Sequence, residues 1–591
     1  MKRRDFLKTG VGAFYYKVLS ASTPETGWSL RSYFSEQIRD YEFPFDQKHF
    51  TMPDRIVALR GHYKSFLLRG GRSSSLGRAY CPDKQMVGAG WRDRMPFYYA
   101  LLNIGIKERE DIRVRIGNSP TSVGNDGMTF HYTGASGFLN VIFPLEWLDD
   151  TFYYQVLRKD GRVFKPTSPL RAVRNPRYRT QADVWLFGDQ HCFDDHATNA
   201  KSLGNGQSAV QSHLFGEFHN FFLRQLILNP NWSAHDSVYD MPNTWNLANA
   251  QYRIIDSNTL PDAIFYGGDE NGLHSYTFEK QGFDTVDLGT IANILWSRMR
   301  NISVLSPLVP IYIVLGNHDG EGIWHNTLHP YARQSRLNYW PQPGALEGGS
   351  LSENYFNVPL ANGSIDMIVG DSVSWSGEKV KASPFRPEHY TLGDEQIRWL
   401  EKTLRTSKAF MRMFLTHHLL GGYPSNSEGT QRGGYGRGPL YFETDYEMNK
   451  NLLDPPINVS GVEQPKITEL CRAHSAQAIL SFHDHIFFRR LLGQNANGQD
   501  MLGMVCGSPN MLNDEYWWMQ DPLWQQWYGR REDLMFINQP CITHFEISPS
   551  RWLTSVLCAA KPGNSSNLNY FRAEPGDIVR QHLWQDGRVV S

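Results

Sequence analysis

The sequence predicts an α/β protein over its larger part, preceded by a smaller β-sandwich. Between about residues 50 and 180, short runs of strand-forming residues are separated by clusters of Gly, Asn, Asp and Pro, with no long periodic helix among them. From Ala182 onward, short apolar runs alternate with stretches of helical periodicity. That order is typical of a largely parallel sheet with helices outside it.

The first part is predicted to be an immunoglobulin- or fibronectin-like β-sandwich over residues 45–178. Three runs carry the prediction: Ile112–Ile116, Leu139–Phe143 and Thr151–Leu157. In the first run apolar and basic side chains alternate, as in a strand with one buried face. A small antiparallel sandwich accommodates such strands and the turns between them.

The second part, residues 181–591, is predicted to hold the functional domain. An Asn362–Gly363 pair between two apolar runs predicts a hairpin, and apolar periodicity predicts helices over 288–299 and after Leu392. The later runs Met501–Cys506, Cys541–Ile547 and Trp552–Cys558 are predicted to complete a second sheet.

The composition restricts the partners. The 59 Lys and Arg residues balance 60 Asp and Glu residues, and the net charge is −1, so no basic surface for nucleic acid is expected. No apolar run approaches the ~20 residues needed to span a bilayer. The 6 cysteines form no CxxC pair, which disfavours a cysteine-bound zinc. The composition does not predict the oligomeric state.

The first 30 residues carry a targeting pattern with two interpretations. Arg3–Lys8 resembles a twin-arginine export signal, which predicts a periplasmic or secreted protein. Lys17 interrupts the apolar stretch that should follow. The alternative is a basic tail on a cytoplasmic protein.

Polar side chains follow several of the apolar runs in the second part. The ligand candidates among them are Asp189, His191, Asp269, Asn317, His417, His483 and His485. In open α/β sheets, ligand sites form where strands end. Nitrogen and oxygen donors without thiolates suit Zn, Mn, Fe or Ca. Seven donors are enough for two ions ~3.5–4 Å apart.

These motifs resemble those of a known superfamily. Asp-x-His, Gly-Asp, Gly-Asn-His-Asp, a strand-end His and His-x-His occur in this order, and the likeness covers about residues 182–560. The pattern resembles the calcineurin-like metallophosphoesterases, with most similarity to alkaline phosphatase D and to purple acid phosphatase-like phosphodiesterases. The resemblance implies a four-layer α/β/β/α sandwich and a dinuclear metal-dependent hydrolase of phosphate mono- or diesters.

The resemblance also implies a role for each motif residue. The first ion would be held by Asp189, His191 and His485 and the second by Asn317, His417 and His483, with Asp269 bridging the two. A hydroxide between the ions would attack phosphorus. His318 would face the leaving group as an acid or as a stabiliser of charge, and Asp319 would orient that ring.

The sequence offers further candidate site residues and differs from the superfamily pattern beside one motif. His418, Arg432 and Arg437 are candidate substrate contacts, and His417 rather than its neighbour is taken as the ligand. Phe482 precedes the His-x-His motif where the superfamily usually has glycine, so we expect a tighter backbone or a pocket partly lined by this phenylalanine.

Two alternative functions stay open. One is a nucleotide or protein phosphatase of the same superfamily. Against the protein phosphatase, the Gly-Asp motif continues as Glu270–Gly272 without the Arg-Gly of that class. The same motif lacks the tyrosine of a purple iron centre. The other is a catalytically silent metal-binding interaction protein, with the aromatic patch at 516–528 as its interface. The presence of His318 and Asp319 argues against a silent site.

Overall fold

The structure is a computed structural model, and the ranges that it describes contain three β-sheets with few helices. The described ranges are 66–72, 98–125, 128–145, 148–162, 171–175, 178–191, 219, 222–230, 242–269, 301, 305–316, 319, 354–374, 392–418, 464–483, 487–509, 535–537, 541–559 and 577–590. The first 65 residues, which include the twin-arginine pattern, lie outside these ranges.

Sheet A is antiparallel and lies in the first part of the chain. Its strands are β1 (Phe66–Arg72), β2 (Tyr98–Gly117), β3 (Met128–Pro144), β4 (Thr151–Arg158) and β5 (Arg171–Arg174), and a short helix α1 (Ser122–Asn125) follows β2. The three predicted strands are confirmed, but two of them are parts of a long β2–β3 hairpin. The described residues of this part form one sheet, so the second sheet of a sandwich remains a prediction.

Sheet B begins the second part of the chain. Three parallel strands, β6 (Ala182–Phe187), β7 (Ala263–Tyr266) and β8 (Ile311–Ile313), lie side by side. On the other side of β6 lie four antiparallel strands, β16 (Cys541–Ser548), β17 (Arg551–Cys558), β18 (Ile578–Gln585) and β19 (Arg588–Val589). The prediction that the runs from Cys541 and Trp552 belong to the second sheet was wrong, because β16 pairs directly with β6.

Sheet C contains the remaining seven strands. They are β9 (Phe356–Leu360), β10 (Ile365–Val369), β11 (Met411–Leu415), β12 (Ala478–Ser481), β13 (Phe487–Gln494), β14 (Asp500–Val505) and β15 (Met535–Ile537). Strands β10, β11, β12 and β14 are parallel. The predicted hairpin is confirmed: β9 and β10 are joined through Asn362 and Gly363, whose φ angles of 54° and 78° lie in the left-handed region that these residue types tolerate.

Sheets B and C pack face to face around one apolar core. Alternate side chains of β6, such as Val184 and Leu186, join Met367 of β10, Met413 of β11 and Leu480 of β12 in this core. Because side chains alternate along a strand, the neighbouring residues face outward to a helical layer or to solvent.

Helices lie on the outer faces of both sheets. Helices α3 (Asp394–Thr406) and α4 (Gln464–Ala473) cover sheet C, where Leu400 and Ile467 share a cluster with Phe414 of β11. Helix α2 (Pro242–Ser257) reaches sheet B through Gln251, whose Nε2 donates to the hydroxyl of Tyr266 at 2.8 Å. Among the described residues, no helix is both long and apolar enough to cross a membrane.

Candidate metal centre

The polar residues of the predicted site follow parallel strands of both central sheets. Asp189 and Asp269 come after β6 and β7 of sheet B, and His417 and His483 come after β11 and β12 of sheet C. The strand ends are tied together by their backbones: the His191 amide donates to the Asp269 carbonyl at 3.0 Å, and the Phe482 amide to the His417 carbonyl at 2.9 Å. Nδ1 of His417 lies 2.7 Å from the Gly267 carbonyl, so the carboxyl-terminal ends of strands from both sheets meet at one place.

Asp269 lies at the meeting point of three imidazoles. Its Oδ2 is 3.2 Å from Nε2 of His417, 3.8 Å from Nε2 of His191 and 3.9 Å from Nδ1 of His483. Asp189 joins them with its Oδ1 at 3.7 Å from Nδ1 of His417. Donors bound at about 2.0–2.2 Å to one ion are roughly 3–4 Å apart, so this buried donor set fits a metal.

The ring of His417 is fixed in orientation by the backbone. Its Nδ1 donates to the Gly267 carbonyl at 2.7 Å, so Nε2 is the nitrogen directed toward Asp269 and toward Nδ1 of His483, 3.0 Å away. Metal-binding histidines commonly donate their other ring nitrogen to a carbonyl in this way. The geometry suits His417 as a ligand.

The electrostatics of the cluster follow from its burial. Burial opposes a charge on His417, but Asp269 and Asp189 outweigh it and raise the pKa of His417 to about 10. Burial, together with the neighbouring His417, holds the pKa of His418 well below its usual value. The pocket thus favours positive charge at one position, beside the two carboxylates, as a cation site requires.

Four of the candidate ligands have left-handed backbones. The φ angles are 24° at Asp189, 42° at His191, 50° at Asp269 and 56° at His483. Such a conformation is uncommon for a residue with a Cβ and clusters at functional sites. All four residues follow the end of a strand, and their side chains take part in the cluster.

Two glycines allow the strand ends to approach one another. A Cβ on Gly316 would lie 2.2 Å from the amide nitrogen of Asp269 and 2.3 Å from its Oδ1. A Cβ on Gly268, where φ is 95°, would lie 2.6 Å from the amide nitrogen of Gly316. Only glycine fits at these positions, which explains why the polar motifs of β7 and β8 each begin with it.

Phe482 fills the space under the site. Its ring is fully buried in the core between sheets B and C, and a Cβ on Gly267 would lie 2.3 Å from it. The ring therefore belongs to the apolar core, and the expected tighter backbone at this position stays a prediction.

Sequence reasoning missed the end of β10. There Ser372 lies with its hydroxyl 2.8 Å from Nδ1 of His418, whose ring centroid is 4.5 Å from that of His483. Asp371 accepts from the amides of Val373 and Ser374 and thereby shapes this turn. The signal was present, because the run Ile365–Val369 ends in Gly-Asp-Ser, the same pattern of an apolar strand followed by glycine and polar residues.

Three histidines also form a group. One ring nitrogen from each of His417, His418 and His483 lies within 4.8 Å of the others, as do donor atoms of Asp189, Asp269 and His417. His418, predicted as a substrate contact, is therefore placed beside the candidate ligands.

The remaining predicted residues divide into two groups. Asp319 is described, and its Oδ2 accepts from the amide of Gly316 at 2.8 Å, which closes the turn after β8. Outside the described residues are Asn317, His318, His485, Arg432 and Arg437, as are the loop around Asn271 and the aromatic patch at 516–528.

Comparison with known proteins gives structural neighbours only. No family model matches the chain, and no curated protein matches it. A structure of PhoD is similar over 83% of this chain and 90% of its own, with 11% identity and a TM-score of 0.49. Purple acid phosphatase PPD1 from yellow lupin (Lupinus luteus) seeds is similar over 89% of this chain and 75% of its own, with 12% identity and a TM-score of 0.48.

A third neighbour is GAP50, the anchor in the inner membrane complex of Plasmodium, which is similar over 69% of this chain and 90% of its own, with 13% identity and a TM-score of 0.32. PhoD and the purple acid phosphatase are calcineurin-like metallophosphoesterases, the superfamily that the sequence motifs resemble. The TM-scores of these three neighbours are below 0.5, so the function proposed next rests on the residues of this chain.

Proposed function

We propose that this chain is a dinuclear metal-dependent phosphoesterase that hydrolyses small phosphate mono- or diesters. One observation carries the proposal: Oδ2 of Asp269 lies 3.2–3.9 Å from ring nitrogens of His417, His191 and His483, which come from both central sheets. A carboxylate surrounded by imidazoles in this way suits a bridge between two cations.

The remaining donors complete the proposed ligand set. Asp189, His191 and His485 would hold one ion and Asn317, His417 and His483 the other, with Asp269 shared. When bound, the ions would polarise a phosphoryl oxygen and lower the pKa of a water molecule.

The other residues of the site would orient the substrate and move its proton. Ser372 lies 2.8 Å from Nδ1 of His418 and holds this ring beside His483, from where the ring would contact a phosphate oxygen. His318 would donate a proton to the leaving oxygen, and Asp319 would keep the turn that carries it closed through its bond to Gly316. Arg432 and Arg437 would contact the phosphate.

We propose the same superfamily for the architecture. The two packed sheets B and C, with α3 and α4 on one side and α2 on the other, support a four-layer α/β/β/α domain over residues 181–591. Sheet A supports a separate β domain over residues 45–178. Residues 1–30 would be an export signal that directs the protein to the periplasm or outside the cell.

An assay with metal analysis tests the proposal. The purified chain is offered the mono- and diester of p-nitrophenol with Mn, Zn, Fe and Ca in turn, and bound metal is measured in parallel. We expect hydrolysis of at least one ester, and a loss of at least about 10²–10³-fold in kcat for Asp269→Asn, because the shared ligand would be lost. Glu401→Gln, on the exposed face of α3, is the matched control.

The outcomes separate the alternatives. Metal binding without hydrolysis of either ester would favour the silent metal-binding protein. Hydrolysis that Asp269→Asn leaves unchanged would place the active site elsewhere and end the proposal.

A further inference from the structure

Two cysteines face each other across the hairpin of β16 and β17. Cys541 is the register partner of Cys558, and both side chains are fully buried thiols. The Cys541 amide donates to the Ser508 carbonyl and the Cys558 amide to the Asp577 carbonyl. Neither amide is directed at the opposite strand, so the two residues form a non-hydrogen-bonded pair of the antiparallel ladder.

The turn of the hairpin leads to the same assignment. Ser548 and Arg551 flank a two-residue turn, where the flanking residues form a hydrogen-bonded pair. Pair types alternate along an antiparallel ladder, and Cys541 lies an odd number of residues before Ser548. The amide partners and the turn therefore both identify Cys541 and Cys558 as a non-hydrogen-bonded pair. In this type of pair the side chains of opposite strands lie closest.

This geometry permits a covalent bond. Non-hydrogen-bonded partners have Cα atoms about 4.5 Å apart, within the roughly 4.4–6.8 Å that a disulfide spans. We propose that Cys541 and Cys558 are a cross-strand disulfide site, which a small-molecule disulfide oxidises while the hairpin is still accessible. The inference does not depend on the proposed function.

The bond would form by thiol–disulfide exchange with a small-molecule disulfide such as glutathione disulfide. One cysteine thiolate attacks a glutathione sulfur and releases one glutathione thiolate. The second cysteine thiolate then attacks the protein sulfur of this mixed disulfide and releases the other. One glutathione disulfide is reduced to two thiols, and the cysteine pair is oxidised by two electrons.

Burial sets the timing of this reaction. Burial raises the pKa of Cys541 far above its usual value, and Cys558 raises it further, so few thiolates exist in the folded protein. Oxidation is therefore expected as the hairpin assembles, before sheet C covers it. In the folded protein it should be much slower.

The disulfide would restrain a segment that is hydrogen-bonded to the candidate metal centre. The Ser508 carbonyl accepts from Cys541, and the Ser508 hydroxyl donates to the Asp189 carbonyl at 2.7 Å. The Gly507 amide donates to Thr543 Oγ1 at 3.1 Å. A disulfide between β16 and β17 would restrain β16, to which Gly507 and Ser508 are hydrogen-bonded.

Peptide mapping of the full-length chain tests the proposal. The chain is refolded in glutathione disulfide, and in a second arm the folded protein is incubated with it; both are alkylated and digested with trypsin without reduction. Cleavage after Arg551 separates the two cysteines, and Cys506 falls in a third peptide, which ends at Arg530. We expect a linked pair of the peptide 532–551 with the peptide that begins at Trp552.

Variants provide the control. Cys558→Ser should abolish the link, and Cys506→Ser should leave it intact. The oxidised chain should unfold about 5 °C higher than the reduced chain, and Cys558→Ser should remove this difference. Full alkylation of Cys541 in both arms would overturn the proposal, and so would its linkage to Cys506, whose neighbour Gly507 packs against the Cys541 sulfur.

Discussion

At the scale of single residues, the site is built from strained backbones. Asp189, His191, Asp269 and His483 all have positive φ angles. Each such residue costs of order 1–3 kcal/mol and persists only where the surroundings enforce it. The hydrogen bond between the backbones of His191 and Asp269 is part of that enforcement. These four backbones therefore lower the stability of the fold at the residues that carry the candidate donors.

Replacing Gly316 with alanine tests this close packing. A Cβ there would lie 2.2 Å from the Asp269 amide nitrogen, so the strand ends of β7 and β8 must separate. We expect a loss of about 2–4 kcal/mol in the free energy of unfolding, measured in urea, together with weaker metal binding.

The matched control is Gly498→Ala. Gly498 has a φ of 71° with nothing within 4 Å of a Cβ, so the substitution should cost only about 1 kcal/mol and leave metal binding unchanged. Equal losses for the two variants would show that crowding at Asp269 is unimportant.

Sequence reasoning selected the candidate donors because they follow apolar runs. Asp189, Asp269, His417 and His483 are each preceded by a short strand that could be predicted, and the structure brings them together. Their left-handed backbones could not be predicted, because nothing local distinguishes such a residue from its neighbours. Ser372 was missed because serine is rarely a ligand on its own.

At the scale of elements, the pairing of β6 with β16 includes a buried ionisable pair. Nε2 of His544 is 3.0 Å from Oδ1 of Asp183, and both side chains are mostly buried. Burial alone would lower the pKa of His544, but the Asp183 carboxylate outweighs it and raises the pKa. The ring also packs against Trp185, with 4.6 Å between centroids.

The raised pKa predicts how stability depends on pH. A histidine with a higher pKa in the folded state stabilises the protein fully below its unfolded value of 6.5, and this contribution is lost as the pH rises through the folded value. We expect the free energy of unfolding of the wild type to fall more than that of His544→Gln between pH 6 and pH 9, because only the wild type loses this contribution as the imidazole is deprotonated. Urea titrations at the two pH values measure the difference, and parallel pH dependence of both chains would refute it.

The outer helices provide a second prediction at this scale. Leu400 of α3 is fully buried against sheet C. Leu400→Ala should cost about 2–5 kcal/mol in the free energy of unfolding while leaving metal affinity unchanged, because the site lies at the strand ends. Metal titration of the folded variant checks the second part, and a loss of affinity without a loss of stability would contradict the assignment of α3 to a structural layer.

Local patterns identified most strands but not all their neighbours. The short apolar runs Ile365–Val369 and Met411–Leu415 are predicted strands in the sequence, and they coincide with β10 and β11. The placement of β16 and β17 was wrong because periodicity carries no information about pairing. Helix α2 was missed because it buries polar residues such as Asn249 and Gln251, which bond to the Ala559 carbonyl and Tyr266, and so lacks a plain apolar stripe.

At the scale of the whole molecule, the candidate ligands belong to two sheets. Asp189 and Asp269 extend from sheet B, and His417 and His483 extend from sheet C. A metal that binds all of them binds only the folded arrangement. At 100 times the dissociation constant, such a ligand stabilises the native state by about 2.7 kcal/mol.

Thermal unfolding with and without metal measures this linkage. We expect the Tm of the wild type to rise by several degrees on adding the preferred ion and to fall again with a chelator. Asp269→Asn should remove most of the rise, whereas the exposed substitution Glu401→Gln should preserve it. An equal rise in all three chains would mean that the ion binds elsewhere.

The division of the donors between two sheets has a consequence for biogenesis. The full set of donors exists only after the packing of the apolar core has brought β7 and β11 together, although about 140 residues separate these strands in the chain. Ions that need donors from both sheets would therefore bind only after the two sheets have packed together. A chain whose sheets had packed in the wrong register would lack the complete donor set and would not retain its cations.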